Sequence, residues 1–243
     1  MGIVVFNGIS SKDVGVEVET FPSYAIPEKE YDVVHVPGRN GDLIIDSGTY
    51  KNVKRSYAVS VATHDKFTYS QVMNKVAEWL HSASGYARLE DSYDRDYYRM
   101  AYYNTAVSFE NIFNQAGRGT IEFICKPQRF LKDGEIPVTF TSNGSIQNRT
   151  INPASPIIKV IKTQADSTGT LVIGDIAISI AEGSGSPIII DCELQDAYSG
   201  DVNKNSVITL TSGVFPKLYP GSNAIQINSA ISSIEITPRW WTI

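Results

Sequence analysis

Short runs in which apolar and polar residues alternate recur along the chain and predict a protein built mainly of β-strands. Residues 14–18 and 57–62 show the period and the β-branched content of strands. Between them, residues 31–36 and 43–46 also have strand character. They flank residues 37–42, where proline, glycine and asparagine suit a tight turn. The pattern predicts a β-hairpin.

One segment has the periodicity of an amphipathic helix. Thr68 and Gln71 have capping-box spacing, and Gly85 can adopt the left-handed conformation that commonly ends a helix. Apolar residues fall on one face: Val72, Val76, Trp79 and Leu80. Further strands are predicted over residues 86–90, 96–109 and 120–126. The first part of the chain is therefore predicted to be α+β, a β-rich barrel or sheet with one helix.

Beyond residue 134 the pattern changes to short strands separated by turn signals such as Asn143-Gly144. These strands are predicted over residues 156–162, 169–173, 176–180, 187–191, 207–210, 224–227 and 231–237. Many short, evenly spaced strands without a helical segment are typical of a β-sandwich. The chain as a whole is predicted to be mainly β.

Composition changes at the same border. The first 136 residues carry 15 basic and 18 acidic residues, whereas the remaining 107 carry 6 and 8. Of the 13 tyrosines, 11 lie before the border. Two separately built domains, residues 1–136 and 137–243, would produce this difference. With 42% hydrophobic residues, both can form apolar cores.

The net charge of −5, with Lys and Arg scattered singly, argues against tight binding to nucleic acid. No apolar run reaches the length that spans a bilayer, and the start lacks the features of a signal peptide. We therefore expect a soluble protein made in the cytoplasm. Cys125 and Cys192 have no metal-binding or disulfide-framework spacing, and we expect both to be core residues.

The acidic segment of residues 90–96 could supply the carboxylate pair of a glycosidase. The simpler interpretation is a solvated turn, because Asp and Ser bond nearby backbone groups. His35, His64 and His81 do not have the spacing of metal ligands. No nucleophile elbow or phosphate-binding loop is present. We predict no catalytic, metal or cofactor site.

Aromatic residues suggest binding surfaces rather than chemistry. Trp240 and Trp241, beside Arg239, could stack on sugar rings or dock a protein, or they could close the core. Because neighbouring strand residues point to opposite faces, at most one of the two tryptophans can be in the core. The pairs Tyr97-Tyr98 and Tyr102-Tyr103 would likewise place aromatic rings on both faces of one strand, which suits a subunit contact.

Taken in order, several segments resemble the distal tail proteins (Dit) of siphophages, from phages or prophages of Gram-positive bacteria. In the first half these are Phe6-Asn7-Gly8, Val14-Gly15-Val16, Val36-Pro37-Gly38-Arg39-Asn40-Gly41, Trp79-Leu80, Tyr86-Ala87-Arg88-Leu89, Gly119-Thr120-Ile121-Glu122-Phe123, Pro127 and Phe130. In the second half they are residues 152–158, 215–223 and 236–241. The resemblance spans nearly the whole chain.

The resemblance implies an N-terminal domain that forms a homohexameric ring and a C-terminal galectin-like β-sandwich that projects outward. The ring would join the tail-tube protein to the tail-associated tip protein at the tail tip of the virion. Its outer domains could hold receptor-binding proteins. DNA would pass through the bore without specific binding, and no membrane insertion and no cofactor are implied. The second domain has no long insertion, so a minimal version of the family is expected.

A ring built from copies of one chain needs a patch on each copy that fits a different patch on the next copy. Projecting hairpins and edge strands suit this purpose. The ring-interface candidates are Pro37, Gly38, Arg39, Asn40, Gly41, Tyr97, Tyr98, Tyr102 and Tyr103. Two alternatives stay open. One is a lectin-like host-adhesion module using Arg239, Trp240 and Trp241, and the other is a wall-degrading enzyme using the acidic segment.

Overall fold

A computed structural model of the chain describes residues 2–63, 67–113, 115–163 and 167–243. His64, considered above as a metal ligand, lies outside the described residues. The chain divides into two compact units, here called the N-terminal unit (residues 1–129 with Ile243) and the C-terminal unit (residues 130–242). The two units are described separately.

The described residues of the N-terminal unit form one α-helix, one 3-10 turn and ten strands. These elements are β1 (Val4–Phe6), β2 (Ile9–Ser10), the 3-10 turn (Ser11–Val14), β3 (Val16–Val18), β4 (Lys29–Val34), β5 (Leu43–Tyr50), β6 (Val53–Ala62), α1 (Tyr69–Leu80), β7 (Ala87–Asp91), β8 (Tyr97–Tyr102), β9 (Glu110–Ile112) and β10 (Ala116–Cys125). The predicted hairpin is confirmed as β4 and β5, which pair antiparallel. The strand predicted over residues 96–109 is shorter than expected and ends at Tyr102.

The main sheet of this unit runs in the order β2-β1-β7-β8-β10-β6-β3, and β9 pairs with β10. The longest pairing joins β10 and β6 over ten residue pairs. Gly2, just before β1, donates a backbone hydrogen bond of 3.1 Å to Val18 at the end of β3. The sheet therefore curls back on itself around a core.

Aromatic rings fill that core. Phe123 on β10 lies 4.8 Å from Phe6, 6.2 Å from Tyr57 and 6.2 Å from Trp79, measured between ring centroids. Trp79 comes from α1, and its indole N–H donates to the Ile9 carbonyl at 3.1 Å. The helix is thus fixed to the sheet both by burial and by a hydrogen bond that satisfies the buried indole.

The predicted start of the helix is confirmed. The Thr68 N–H donates to the Gln71 side chain at 2.9 Å, and the Thr68 hydroxyl accepts from the Gln71 N–H at 3.4 Å, which completes a capping box. The four predicted apolar residues are the buried residues of α1. The helix ends at Leu80, because His81 leaves the helical conformation before Gly85 is reached.

We expect Thr68→Ala to lower the free energy of unfolding by about 1 kcal/mol, the usual loss when a capping side chain is removed. Urea unfolding followed by circular dichroism would measure it. Thr139→Ala, on an exposed strand position, is the control and should change stability by less than about 0.5 kcal/mol. Equal effects of the two substitutions would contradict a stabilising role for the cap.

The C-terminal unit is a β-sandwich, as predicted. Its two sheets are built from β12 (Val138–Phe140), β13 (Gly144–Asn148), β14 (Ile157–Lys162), β15 (Gly169–Ile173), β16 (Ile176–Ile180), β17 (Ile188–Asp191), β18 (Asp196–Ser199), β19 (Val202–Asn203), β20 (Ile208–Leu210), β21 (Gly221–Ile227) and β22 (Ile231–Thr237). Two further short strands, β11 (Arg129–Leu131) and β23 (Trp241–Thr242), pair with each other outside these two sheets. One sheet has the order β12-β22-β14-β17-β18-β19, and the other has the order β13-β21-β15-β16-β20.

The core of the sandwich lies between these two sheets. Ile158 and Ile234 come from the first sheet, Leu171 and Ile225 come from the second, and all four are fully buried. Inward and outward residues alternate along β14 and β15, as they do in a packed two-sheet fold. This arrangement agrees with the galectin-like sandwich that the resemblance implied.

Candidate functional site

The hairpin of β4 and β5 is largely exposed. Its two strands form a sheet of their own, and in the described part of the chain no third strand pairs with them. Every residue of β5 from Leu43 to Thr49 is exposed, and so are the last four residues of β4. Two-stranded hairpins are at best marginally stable when they stand alone in water. This one therefore needs support from outside its own strands.

Both faces of the hairpin carry apolar side chains. Val33 pairs with Ile44, and Val34 pairs with Leu43. Because successive strand residues point to opposite faces, Val33 and Ile44 share one face, while Val34 and Leu43 share the other. The six large hydrophobic residues are between 39 and 63% exposed: Tyr31, Val33, Val34, Leu43, Ile44 and Ile45. An apolar surface on both sides of a ribbon marks an interaction site.

Five of the predicted interface residues form the tip of this hairpin. Pro37, Gly38, Arg39, Asn40 and Gly41 are all exposed. The Arg39 N–H donates to the Val36 carbonyl at 3.2 Å, and both glycines have positive φ, 82° and 79°. The tip is thus a defined turn whose backbone conformation requires glycine.

Polar contacts fix the base of the hairpin. The Thr49 hydroxyl donates to the Glu30 carboxylate at 2.7 Å, and Lys51 contacts Glu28 at 2.9 Å. Lys29 forms an ion pair with Asp46 across the strands. The hydrogen bond from Lys29 lowers the pKa of the Asp46 carboxyl below its ordinary value. The base is therefore polar and the middle apolar.

The four predicted tyrosines lie on and just after β8, in the middle of the main sheet, and all are half-buried. Tyr98 lies 3.9 Å from the Arg88 guanidinium, and Tyr103 lies 5.9 Å from Phe123. Tyr102 contacts Tyr86 edge-on at 5.1 Å, and the Arg129 guanidinium lies 4.2 Å from Tyr97. Each ring thus has a partner in the same chain. Their role in a ring interface stays a prediction.

The acidic segment contains a buried ion pair rather than an open carboxylate pair. The Asp91 carboxylate accepts hydrogen bonds from Arg55 and from the Tyr57 hydroxyl, both at 2.8 Å. It also accepts the backbone N–H groups of Tyr93 and Asp94, at 3.0 and 2.9 Å, and so shapes the turn. Burial raises the pKa of Asp91, but the hydrogen bonds from Arg55 and Tyr57 outweigh this effect and hold the pKa below its ordinary value.

The three residues proposed for sugar or protein docking have partners within the C-terminal unit. Arg239 donates from both terminal nitrogens to Asp191, at 2.8 and 2.6 Å. Trp240 is buried in the sandwich core. Trp241 is half-buried and donates from its indole to the Pro153 carbonyl at 2.9 Å. Of the two tryptophans, only Trp241 keeps an appreciable outward surface, so these residues do not form a stacking platform of two rings.

Neither cysteine has the environment of a reactive thiol. Cys125 and Cys192 are free and buried, and burial raises the pKa of each to about 12. A reactive cysteine requires a lowered pKa, so both thiols are inert core groups. Among the described residues, no three His, Cys, Asp or Glu side chains are placed to hold a metal ion. The described helices also include none with the length and apolar character to cross a membrane.

Comparison with known proteins agrees with this architecture. A family model of the phage tail protein RIFT-related domain matches residues 10–125. The crystal structure of the Dit protein of phage SPP1 is similar with a TM-score of 0.75 at 10% identity, over 100% of both chains. A chain of the phage p2 baseplate is similar with a TM-score of 0.57 at 12% identity, covering 97% of this chain and 96% of that chain. No curated protein sequence matches.

These findings identify the class first: residues 10–125 match a phage tail protein domain of the RIFT-related type. Over its whole length the chain also has the fold of the SPP1 Dit protein. The resemblance stated from the sequence is confirmed.

Proposed function

We propose that this chain is the structural hub of a siphophage tail tip, in which six copies form a ring between the tail tube and the tip. The proposal assigns no catalytic step to the chain. Its partners would be five further copies of itself, the tail-tube protein, the tail-associated tip protein and, on the outside, receptor-binding proteins. The similar SPP1 protein is described as a hub of the adsorption apparatus, and the p2 chain belongs to a baseplate.

The observation that carries the proposal is the hairpin of β4 and β5 with exposed apolar residues on both faces. A ring of identical chains closes through heterologous contacts, in which a projection of one copy meets a different patch of the next. A two-sided ribbon can be covered on both faces only by being clasped in such a contact. The tip residues 37–41 would lie at the far end of this contact.

The strength of one contact can be bounded. Burying the exposed part of the six apolar side chains would contribute roughly 1 kcal/mol each, so about 6 kcal/mol in all. Association costs about 4–15 kcal/mol in lost freedom. A single contact between two copies is therefore weak. The contact that closes the ring joins two copies that are already held together, so it adds its favourable free energy without the cost of bringing in a further copy. We expect ring assembly to be cooperative and dependent on concentration.

Light scattering coupled to gel filtration tests the proposal. The purified chain should shift, as its concentration rises, from the 26.7 kDa of one copy toward a sixfold larger mass, with few intermediate species. Adding the tail-tube and tip proteins should favour the large species. A mass that stays at one copy at every concentration, with or without these partners, would overturn the proposal.

DNA passage follows from the same arrangement. Residues 1–136 carry 15 basic and 18 acidic residues, so the ring-forming part is mildly acidic. A bore with this balance would repel the DNA backbone weakly rather than hold it. The chain would thus serve as a passive conduit at the tail tip of the virion.

A further inference from the structure

One buried charge of the N-terminal unit has no counter-charge among the described residues. Arg99 on β8 is 6% exposed and lies on the inward face of the strand, next to Ala101 on the same face and opposite Leu89 on β7. Within the described part of the chain, its guanidinium makes no hydrogen bond and no ion pair; its nearest aromatic partner is Tyr24, 6.0 Å away. A buried cation without a counter-charge is costly.

Two further arginines lie close by, and each already has a carboxylate. Arg55 contacts Asp91 at 2.8 Å, and Arg129 contacts Asp94 at 3.1 Å. The three guanidinium groups therefore face two carboxylates, which leaves one positive charge in excess. Burial lowers the pKa of Arg99, and the like charges of Arg55 and Arg129 lower it further.

Arg129 provides a second unused donor. Its Nε is buried and has no hydrogen-bond partner among the described residues. The Tyr24 ring lies 4.9 Å from the Arg129 guanidinium and 6.0 Å from that of Arg99, so one ring neighbours both cations. Tyr24 belongs to an irregular and largely exposed segment, residues 19–28, and is itself exposed. The ring next to the two arginines is thus itself open to solvent.

We propose that Arg99 and Arg129, beneath the Tyr24 ring, bind one small oxyanion of the sulfate, phosphate or carboxylate class. Such an anion would neutralise the excess charge and accept the hydrogen bonds that Arg99 and Arg129 Nε do not make. Guanidinium groups suit this ligand because their planar donor geometry matches two oxygens at once. This site is separate from the hairpin and does not depend on ring formation.

Thermal unfolding of the full chain at rising sodium sulfate tests the proposal, with sodium chloride at matched ionic strength as reference and sodium acetate as a second probe. For the wild type we expect the midpoint to rise by about 3 °C or more at saturation in at least one of the two oxyanions. Sulfate alone would indicate a tetrahedral ligand, and acetate would indicate a carboxylate. In Arg99→Met this gain should disappear, and the variant without oxyanion should be at least as stable as the wild type.

Arg95→Met is the matched control, because Arg95 lies in the turn just before β8 but is exposed, and its side chain donates to the Ser92 carbonyl. Arg95→Met should show the same rise of the unfolding midpoint in oxyanion as the wild type. An effect of the salt on proteins in general would instead raise the midpoint of every variant, including Arg99→Met. Arg129→Met provides a second test if Arg99→Met does not fold. The proposal is overturned if the wild type gains nothing from either oxyanion, or if a folded Arg99→Met or Arg129→Met variant responds as the wild type does.

Discussion

Replacing Val33 and Ile44 together by aspartate should leave the chain folded but monomeric at concentrations where the wild type forms rings. These two residues share one exposed face of the hairpin and contact no core, so the fold does not depend on them. In a ring contact they would be buried, and each aspartate would then have to lose its water. Each substitution would lose roughly 1 kcal/mol of apolar burial and add about 1 kcal/mol or more for desolvating the carboxylate, so we expect each contact to weaken by about 4 kcal/mol, or roughly 1,000-fold.

Light scattering would measure the mass, and circular dichroism would confirm the fold. The control is the double variant Ile151→Asp with Leu194→Asp, which alters two apolar residues of the C-terminal unit that are more exposed than Val33 and Ile44. It should assemble as the wild type does. Rings of undiminished stability in the hairpin variant would show that this surface is not the contact.

Asp91→Asn should lower the free energy of unfolding by about 3–5 kcal/mol, the usual loss when one partner of a buried ion pair is removed. Arg55 and Asp91 each have only 6% of their side chains exposed, so water cannot replace the lost charge. Denaturant unfolding would measure the change. Glu235→Gln, in the half-exposed pair with Lys159, is the control and should cost less than about 1 kcal/mol.

The same pair predicts a dependence on pH. The pKa of Asp91 is lower in the folded chain than its ordinary value, so its contribution is present at neutral pH and is lost as the pH falls below about 4 toward the folded-state pKa. The gap in stability between wild type and Asp91→Asn should therefore narrow on acidification. A gap that is independent of pH would mean that Asp91 acts through shape rather than charge.

Local patterns predicted the parts of the fold that depend on nearby residues. The capping box of Thr68 and the hairpin turn at Gly38 and Gly41 follow from chemistry within a few positions, and the structure has both. Strand pairing is different, because it joins distant segments. β12 and β13 follow each other closely yet belong to different sheets, and no local pattern indicates that separation.

The candidate site was predicted in part. The tip residues 37–41 stood out as a turn, but the apolar ribbon behind them did not. A signal was available: Val33-Val34 and Leu43-Ile44-Ile45 are consecutive apolar residues, which places apolar groups on both faces of each strand. Such a run also suits a buried central strand, so exposure could be learned only from the structure.

The buried charged residues were the other feature that could not be predicted from the sequence. Arg55 and Arg99 lie at inward positions of strands, where apolar residues are the rule. A charged residue in a strand is normally assigned to the outward face, so the sequence does not indicate that these two point inward. Asp91, which pairs with Arg55, and Tyr24, whose ring lies near Arg99, are far away along the chain. The acidic segment was correctly interpreted as a turn, but the inward direction of Asp91 depends on Arg55 from another strand.

Imaging of the purified wild-type chain by negative-stain electron microscopy tests the central claim most directly. At concentrations that give the large species in solution, class averages should show rings with six-fold symmetry and an open central bore. Single copies alone, or closed particles of another symmetry, in the presence of the tail-tube and tip proteins would contradict the account.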